Sequence, residues 1–210
     1  MKSKRGAISG FYFITDSTLS KQGNQADVAS AIRGGATIVQ YREKNKGLVD
    51  FIREALELKS ICDQHGTIFL INDNVAAALL VDADGVHLGQ DDMPLARARE
   101  ILGKDKIIGV TVHNRAEARE AEQHGADYLG LSPIFPTSTK RDAGPATGLN
   151  LIKTIRCSAK LPCVAIGGIN ENNVDAVIAA GADAVAAVSA TVGQGDVESA
   201  VRAFAQRWRA

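Results

Sequence analysis

The sequence predicts an α/β protein, a single (β/α)8 barrel covering residues 1–210. Three observations lead there. Short runs rich in Val and Ile alternate with longer amphipathic stretches along the whole chain, as strands and helices do when they take turns. The short runs are mostly apolar on both faces, the pattern of strands covered on both sides in a parallel sheet. A helix-to-strand junction also recurs, in "RGGATIVQ", "DADGVHLG", "HGADYLGL" and "AGADAVAAV". Each puts a small or Gly/Asp turn before a strand, and glycine just past a helix end readily takes the left-handed conformation that stops the helix.

The strands expected in order are 10–16, 37–44, 68–73, 85–90, 107–112, 128–135, 163–169 and 184–191. Helical stretches fill the intervals. In "LVDFIREALELKSICDQHG", Leu48, Phe51, Ile52, Ala55, Leu58 and Ile61 fall on one helical stripe,. Eight such units in roughly 200 residues fit a compact barrel at the small end of its size range. A doubly wound open sheet is the alternative, but no G-x-G-x-x-G turn follows the first strand,.

Composition narrows the function classes. Lys plus Arg equals Asp plus Glu, at 24 each. A dedicated nucleic-acid binder would carry a basic excess, so small-molecule ligands are expected rather than nucleic acid. The odd set of Cys62, Cys157 and Cys163, with no CxxC pair, suggests neither a disulfide framework nor a zinc site and fits a reducing compartment. No run approaches the length of a membrane span, and "MKSKRGAISGFYFITDS" has no apolar stretch of signal-peptide length,. The expected location is cytoplasmic.

In a barrel, chemistry belongs at the C-terminal ends of the strands and in the loops after them. Those positions are unusually polar. Gln40, Arg42 and Lys44 alternate at the end of the second strand and so share a face, opposite Val39 and Tyr41. Burying them is costly without anionic partners, although a solvated strand end would also accommodate them. The third strand ends in Asn72 and Asp73, and "GQDDM" after the fourth brings Asp91 and Asp92 alongside. Carboxylates beside a basic strand suit Mg2+ held together with substrate phosphates. Aspartates there can equally cap the helices that follow.

The seventh strand ends in Gly167 and Gly168, and "AVSAT" and "VGQGD" follow the eighth. Loops at these two places form the usual phosphate site of this fold, while a tight turn needing glycine would explain the pair as well. A long polar loop, "SPIFPTSTKRDAGPATGL" (132–149), follows the sixth strand. It can reach across both halves with the hydroxyls of Thr137, Ser138 and Thr139 and the charge of Lys140. It is expected to act as a lid, a surface loop being the alternative. His65 and His124 at helix ends, and buried Cys163, Phe204 and Trp208, are expected to be structural; His87 and His113 are placed near the pocket without a catalytic role.

The set "QYREK" (40–44), "IND" (71–73), "DGVHLGQDD" (84–92), "FPTSTK" (135–140), "AIGGI" (165–169) and "VSA" (188–190) resembles the thiamine-phosphate synthase family along the whole chain. The resemblance implies a transferase of thiamine biosynthesis. It would join hydroxymethylpyrimidine diphosphate to thiazole phosphate, or its carboxylated form, by a dissociative, Mg2+-assisted route that releases diphosphate. It implies that Gln40, Arg42, Lys44 and Asn72 hold the pyrimidine diphosphate and that Asp73 and Asp92 bind Mg2+. Lys140, Arg42 and Lys44 would act in catalysis, with Lys140 on the diphosphate. Thr137, Ser138 and Thr139 would line the thiazole side, and Gly168, Val188 and Ser189 would bind its phosphate. Thr111 stands where the family commonly has serine. The alternatives are a metal-independent thiazole tautomerase or a non-catalytic thiazole-phosphate binder on the same barrel, and a phosphate-sugar isomerase using only the last two strands' phosphate site.

Overall fold

In the computed structural model, which describes residues 8–139 and 144–208, the eight apolar runs are parallel strands that close on themselves. They are β1 (Gly10–Ile14), β2 (Ala36–Tyr41), β3 (Ile68–Asn72), β4 (Gly85–Leu88), β5 (Ile107–Val112), β6 (Tyr128–Leu131), β7 (Cys163–Ile166) and β8 (Ala184–Ala186). The helices are α1 (Asn24–Gly34), α2 (Leu48–His65), α3 (Val75–Leu80), α4 (Leu95–Leu102), α5 (Arg115–Gln123), α6 (Leu149–Arg156), α7 (Val174–Ala179) and α8 (Val197–Ala205). Each strand pairs with the next in sequence, and β8 returns to β1 with Gly10 opposite Ala184. The open-sheet alternative is thereby excluded.

Strand alternation divides two cores. Phe11, Phe13, Val39, Tyr41, Phe69, Ile71, Leu129 and Leu131 point outward under the helices. Tyr12, Ile14, Ile38, Ile68, Leu70, Ile107, Tyr128 and Val164 point into the barrel. Gln40 follows Ile38 inward, while Val39 and Tyr41 lie under the helices as their alternation requires. On α2, Phe51, Ala55, Leu58 and Cys62 are buried, but Leu48 is 62% exposed. It sits in the first turn, beyond the edge of the sheet that the rest of the stripe covers. Phe204 packs on Phe11 with ring centroids 5.2 Å apart, and Trp208 covers the same core. His65 Nδ1 and His124 Nδ1 each lie 2.9 Å from a carbonyl one turn earlier. All three cysteines are free.

The recurring junction has a structural meaning. Asp84, Asp127 and Asp183 stand just before β4, β6 and β8. Their Oδ2 atoms accept the backbone N–H of Phe69, Ile108 and Cys163, each at 2.8 Å. Their own N–H groups donate to the carbonyls of the same three residues, at 2.9, 2.7 and 2.9 Å. Each even strand is thus clipped to the odd strand before it, at the end of the barrel opposite the loops that carry chemistry. At the fourth junction, before β2, Thr37 donates to the Ser9 carbonyl at 2.5 Å instead. Arg99 reinforces one clip, reaching Asp127 at 2.6 Å and the Gly125 and Lys106 carbonyls.

Asp127→Ala would strand the buried Ile108 N–H and leave the Arg99 guanidinium with its carbonyl partners but no counter-charge. Loss of one partner from a buried charged pair costs about 3 kcal/mol, so urea unfolding should show a drop of that order. Asp50→Ala, which breaks only the exposed pair with Arg53, should cost less than about 1 kcal/mol. Equal losses would remove the clip from the account.

Candidate active site

The seven strands whose expected ends overran do so at their C-terminal ends, and there the chain lines a cavity of about 410 Å³. Its wall includes Gln40, Arg42, Lys44, Asn72, Asp73, Asp92, Thr111, Thr137, Thr139, Gly168, Val188 and Ser189. Ser138 is exposed and lies outside this lining. Lys140 lies outside the described residues.

Both basic residues have anionic partners, although only Arg42 is partly buried and Lys44 reaches solvent. β2 stops at Tyr41, but Thr15 carries the pairing on. Its Oγ1 accepts from the Arg42 N–H at 2.9 Å and lies 3.1 Å from the Arg42 carbonyl, to which it can donate. Arg42 Nη1 then reaches Asp16 Oδ2 at 3.4 Å. Asp16 is 5% exposed and is held in turn by Thr18, whose backbone N–H and Oγ1 both donate to it. Lys44 Nζ donates to Asp73 Oδ2 at 2.5 Å. Asp16 was not apparent from the sequence; the clue is that a half-buried guanidinium gains from an acid on the neighbouring strand end.

Neither aspartate of the expected pair is a helix cap. Asn74 caps α3, accepting from the Ala77 N–H, and α4 begins after Pro94 with no side-chain cap. Asp73 instead sits at φ 61°, a left-handed conformation that Asp tolerates better than most residues but that still stores strain. Its N–H donates to the His87 carbonyl at 2.8 Å. Asp92 folds back so that Oδ2 accepts from the Gly89 N–H at 2.7 Å. The two carboxyls lie close enough to influence one another. Burial works to raise Asp73, but the hydrogen bond from Lys44 and the neighbouring Asp92 outweigh it and hold it below the usual carboxylate range. Burial and then the neighbouring Asp73 push Asp92 the other way. Two carboxylates this close resist double ionisation.

Among the described residues no group of three or more His, Cys, Asp or Glu side chains gathers as a metal cage. Two carboxylates at neighbouring strand ends nevertheless fit Mg2+, which takes one or two carboxylates and completes its shell with waters and substrate phosphates.

Across the cavity, Gly167 and Gly168 have φ 104° and 61°. A Cβ on Gly168 would lie 2.5 Å from the Pro136 carbonyl oxygen, and one on Gly167 2.7 Å from Pro133 Cβ. The glycines thus serve the turn and also admit the loop after β6. That loop is fastened at its base: Phe135 N–H donates to the Gly167 carbonyl, and Thr147 N–H and Oγ1 both donate to Pro133, all at 2.9 Å. After β8 the chain makes a tight turn, with Val192 N–H on the Val188 carbonyl at 2.9 Å. The first N–H groups of such a turn have no partner within it.

The floor of the cavity holds residues the sequence did not single out for a role. Gln40 Nε2 donates to Tyr12 Oη at 2.7 Å, and Tyr12 Oη is 2.8 Å from Tyr128 Oη. His87 Nδ1 lies 2.8 Å from Tyr128 Oη, and its Nε2 lies 2.9 Å from Thr111 Oγ1. Inward-facing tyrosines on β1 and β6 were legible only as large side chains at core positions.

A basic strand end, a carboxylate pair and a glycine-lined turn surround one cavity. The sequence matches the thiamine monophosphate synthase family over residues 11–191. The chain belongs to that family. It is 52% identical over 194 residues to the thiamine-phosphate synthase of Methanosarcina barkeri, covering 92% of this chain and 88% of that protein. It is 54% identical over 194 residues to the thiamine-phosphate synthase of Methanosarcina mazei, covering 92% and 80%. The solved thiamine phosphate pyrophosphorylase of Pyrococcus furiosus superposes with a TM-score of 0.89 at 38% identity, covering 98% of this chain and 97% of that one.

Gly168→Ala should destabilise the protein by about 2 kcal/mol, since it forces an L side chain into a left-handed turn and against backbone. Gly195→Ala, where nothing lies within 4 Å, should be neutral in the same denaturant titration. Equal behaviour would mean that the loop base yields freely.

Proposed function

We propose that the barrel condenses hydroxymethylpyrimidine diphosphate with thiazole phosphate to give thiamine phosphate and diphosphate. The observation that carries this reading is the meeting, in one cavity, of the Asp73–Asp92 pair with Arg42 and Lys44 on one side and the Gly168 and Val188–Ser189 turns on the other. Family membership supports the same reaction.

The proposed route is dissociative. The bond between the pyrimidine methylene carbon and the bridging diphosphate oxygen breaks first, and diphosphate leaves with the electron pair. The electron-rich aminopyrimidine spreads the positive charge left on the methylene. The thiazole nitrogen then gives its lone pair to that carbon and closes the new C–N bond. No general base is needed, because the attacking nitrogen carries no proton.

What the step demands is stabilisation of charge on the departing diphosphate. Arg42 and Lys44 supply fixed positive charge, and a phosphate oxygen can take over the hydrogen bond that Lys44 gives Asp73. Lys140, which lies outside the described residues, is assigned the same task. Asp73 and Asp92 would hold Mg2+, which contributes Lewis-acid neutralisation of the leaving group. Gln40 and Asn72 bind the pyrimidine side, with Thr111 at the floor. Thr137 and Thr139 face the thiazole, with Ser138 assigned a contact from the loop's outer side. Walls built by Tyr12, Ile14, Val164 and Ile166 limit water, which would otherwise trap the cation.

We read residues 1–210 as one functional unit, since strands from both halves supply the cavity. A cytoplasmic location fits the three free cysteines; no helix among the described residues is long and apolar enough to cross a membrane.

Asp73→Asn tests the reading with little risk to the fold, because Asn also tolerates the left-handed backbone. Diphosphate release should require both substrates and Mg2+, and Asp73→Asn should lower kcat about 100-fold or more, the scale of losing one preorganised charge contact. Lys140→Ala should fall similarly. Release without metal, or unchanged turnover in both variants, would overturn these roles.

A further inference from the structure

The hydrogen-bonded chain at the cavity floor joins five strands and ends at two residues that face the cavity. It runs from Gln40 through Tyr12, Tyr128 and His87 to Thr111. Both tyrosines are almost fully buried. Burial pushes both phenols well above the ordinary tyrosine value, so each keeps its single proton. The space for the chain is reserved in the sequence. A Cβ on Gly109 would lie 1.9 Å from Tyr128 Cζ, and one on Gly130 would lie 2.8 Å from His87 Cε1. His87 also stacks on Tyr128, with ring centroids 5.5 Å apart.

A phenol can give only one proton, so the chain has a direction. Gln40 Nε2 donates to Tyr12, which leaves the Tyr12 proton for Tyr128. The Tyr128 proton then goes to His87 Nδ1. A neutral imidazole that accepts at Nδ1 carries its proton on Nε2, and Nε2–H donates to Thr111 Oγ1. Thr111, already accepting, has its own proton to give to whatever occupies the cavity. At the other end, Gln40 has spent an N–H on Tyr12 and keeps its carbonyl oxygen for the cavity. In the reverse direction, with the Gln40 amide as placed, Tyr12 would face donors from both Gln40 and Tyr128, leaving its own proton unspent at a buried position, which is costly. Only a turned amide, presenting Oε1 to Tyr12 and Nε2 to the cavity, satisfies that direction.

We infer that Tyr12, Tyr128 and His87 are positioning residues that set the polarity of the cavity, making Thr111 a hydrogen-bond donor and the Gln40 carbonyl an acceptor toward the substrate ring. The inference rests on the reading above for the identity of that ring, an aminopyrimidine. Such a ring offers an amino donor and ring-nitrogen acceptors, which a fixed acceptor and a fixed donor read together. It also gives the hydroxyl at position 111 a reason to be kept, by serine or by threonine, since either can receive from His87 and pass a proton on.

The first test needs no substrate. In protein labelled with 15N-histidine, the ring of His87, one of four histidines and identified by its loss in His87→Gln, should be the Nε2–H tautomer. In Tyr128→Phe the Nδ1–H form should appear alongside it. A wild-type ring protonated on Nδ1 would overturn the inference. The second test is kinetic. Tyr128→Phe and, as a check on folding, Tyr12→Phe should each lower kcat/KM for the pyrimidine diphosphate about tenfold, the scale of one net hydrogen bond. Thr111→Val should cost markedly less in the Tyr128→Phe background than alone. Additive losses would mean that the chain only supports the floor and would overturn the positioning role. Should the wild type release no diphosphate, the synthase reading falls, and the tautomer result alone decides the direction of the chain.

Discussion

A partly buried guanidinium at the mouth of an apolar barrel needs negative charge beside it, and the more exposed ammonium of Lys44 is paired there too. Asp16 answers Arg42 and Asp73 answers Lys44. Each acid is then held by something else. Asp16 is fixed by Thr18, and Asp73 by its backbone bond to His87 and its contact with Asp92. The pairing keeps the basic groups oriented without consuming their charge, because a polyanionic ligand brings more negative charge than one carboxylate. Asp73 and Asp92 stand on the opposite footing. They oppose one another and gain from any cation that comes between them. The two demands fit a ligand that is itself an anion escorted by a metal.

Inside the barrel the same logic runs from polar to apolar. The inward side chains include Ile38, Ile68, Leu70 and Ile107, branched residues of the kind that fill such barrels. Beside them stand Tyr12, Gln40, His87, Thr111 and Tyr128, which line the cavity. A polar layer is tolerable there only if its members satisfy one another, since a half-paired buried network is worse than an apolar one. Gly109 and Gly130 give the rings the room they need to meet. The cavity floor is therefore polar and yet rigid, and its hydrogen-bonding groups are committed before a ligand arrives.

The barrel itself was legible in the sequence because its period is regular. Eight apolar runs and a repeated junction suffice to imply the closed sheet, and the inward face of β2 follows from alternation alone. The errors fall in one place. Strands expected to reach Lys44, Phe135, Ile169 or Thr191 stop at Tyr41, Leu131, Ile166 and Ala186. The apolar run continues past the last ladder bond because the loops fold back over the cavity and bury side chains such as Ile134 and Ile169. Periodicity reports burial, not pairing, and at the functional end the two part company. Charged site residues stood out because they are expensive in a core. Tyr12 and Tyr128 did not, because an inward tyrosine looks like any large core residue until its hydroxyl is placed. Asp16 was hidden for a related reason: its partner lies 26 residues away on the next strand.

The two ends of the barrel divide the labour. At one end Asp84, Asp127 and Asp183 spend their carboxylates on strand N–H groups, which makes them fixed parts of the sheet. At the other end Asp16, Asp73 and Asp92 are held by side chains and turn N–H groups, while facing a cavity. The residue type is the same and the surroundings decide its use. An aspartate whose acceptors are filled by buried backbone can only stabilise. One strained at φ 61° beside a lysine and a second acid is left with capacity for a ligand. Keeping the sheet's clips remote from the cavity lets that strain be carried by a barrel already closed, so the site can favour its substrates without having to hold the fold together.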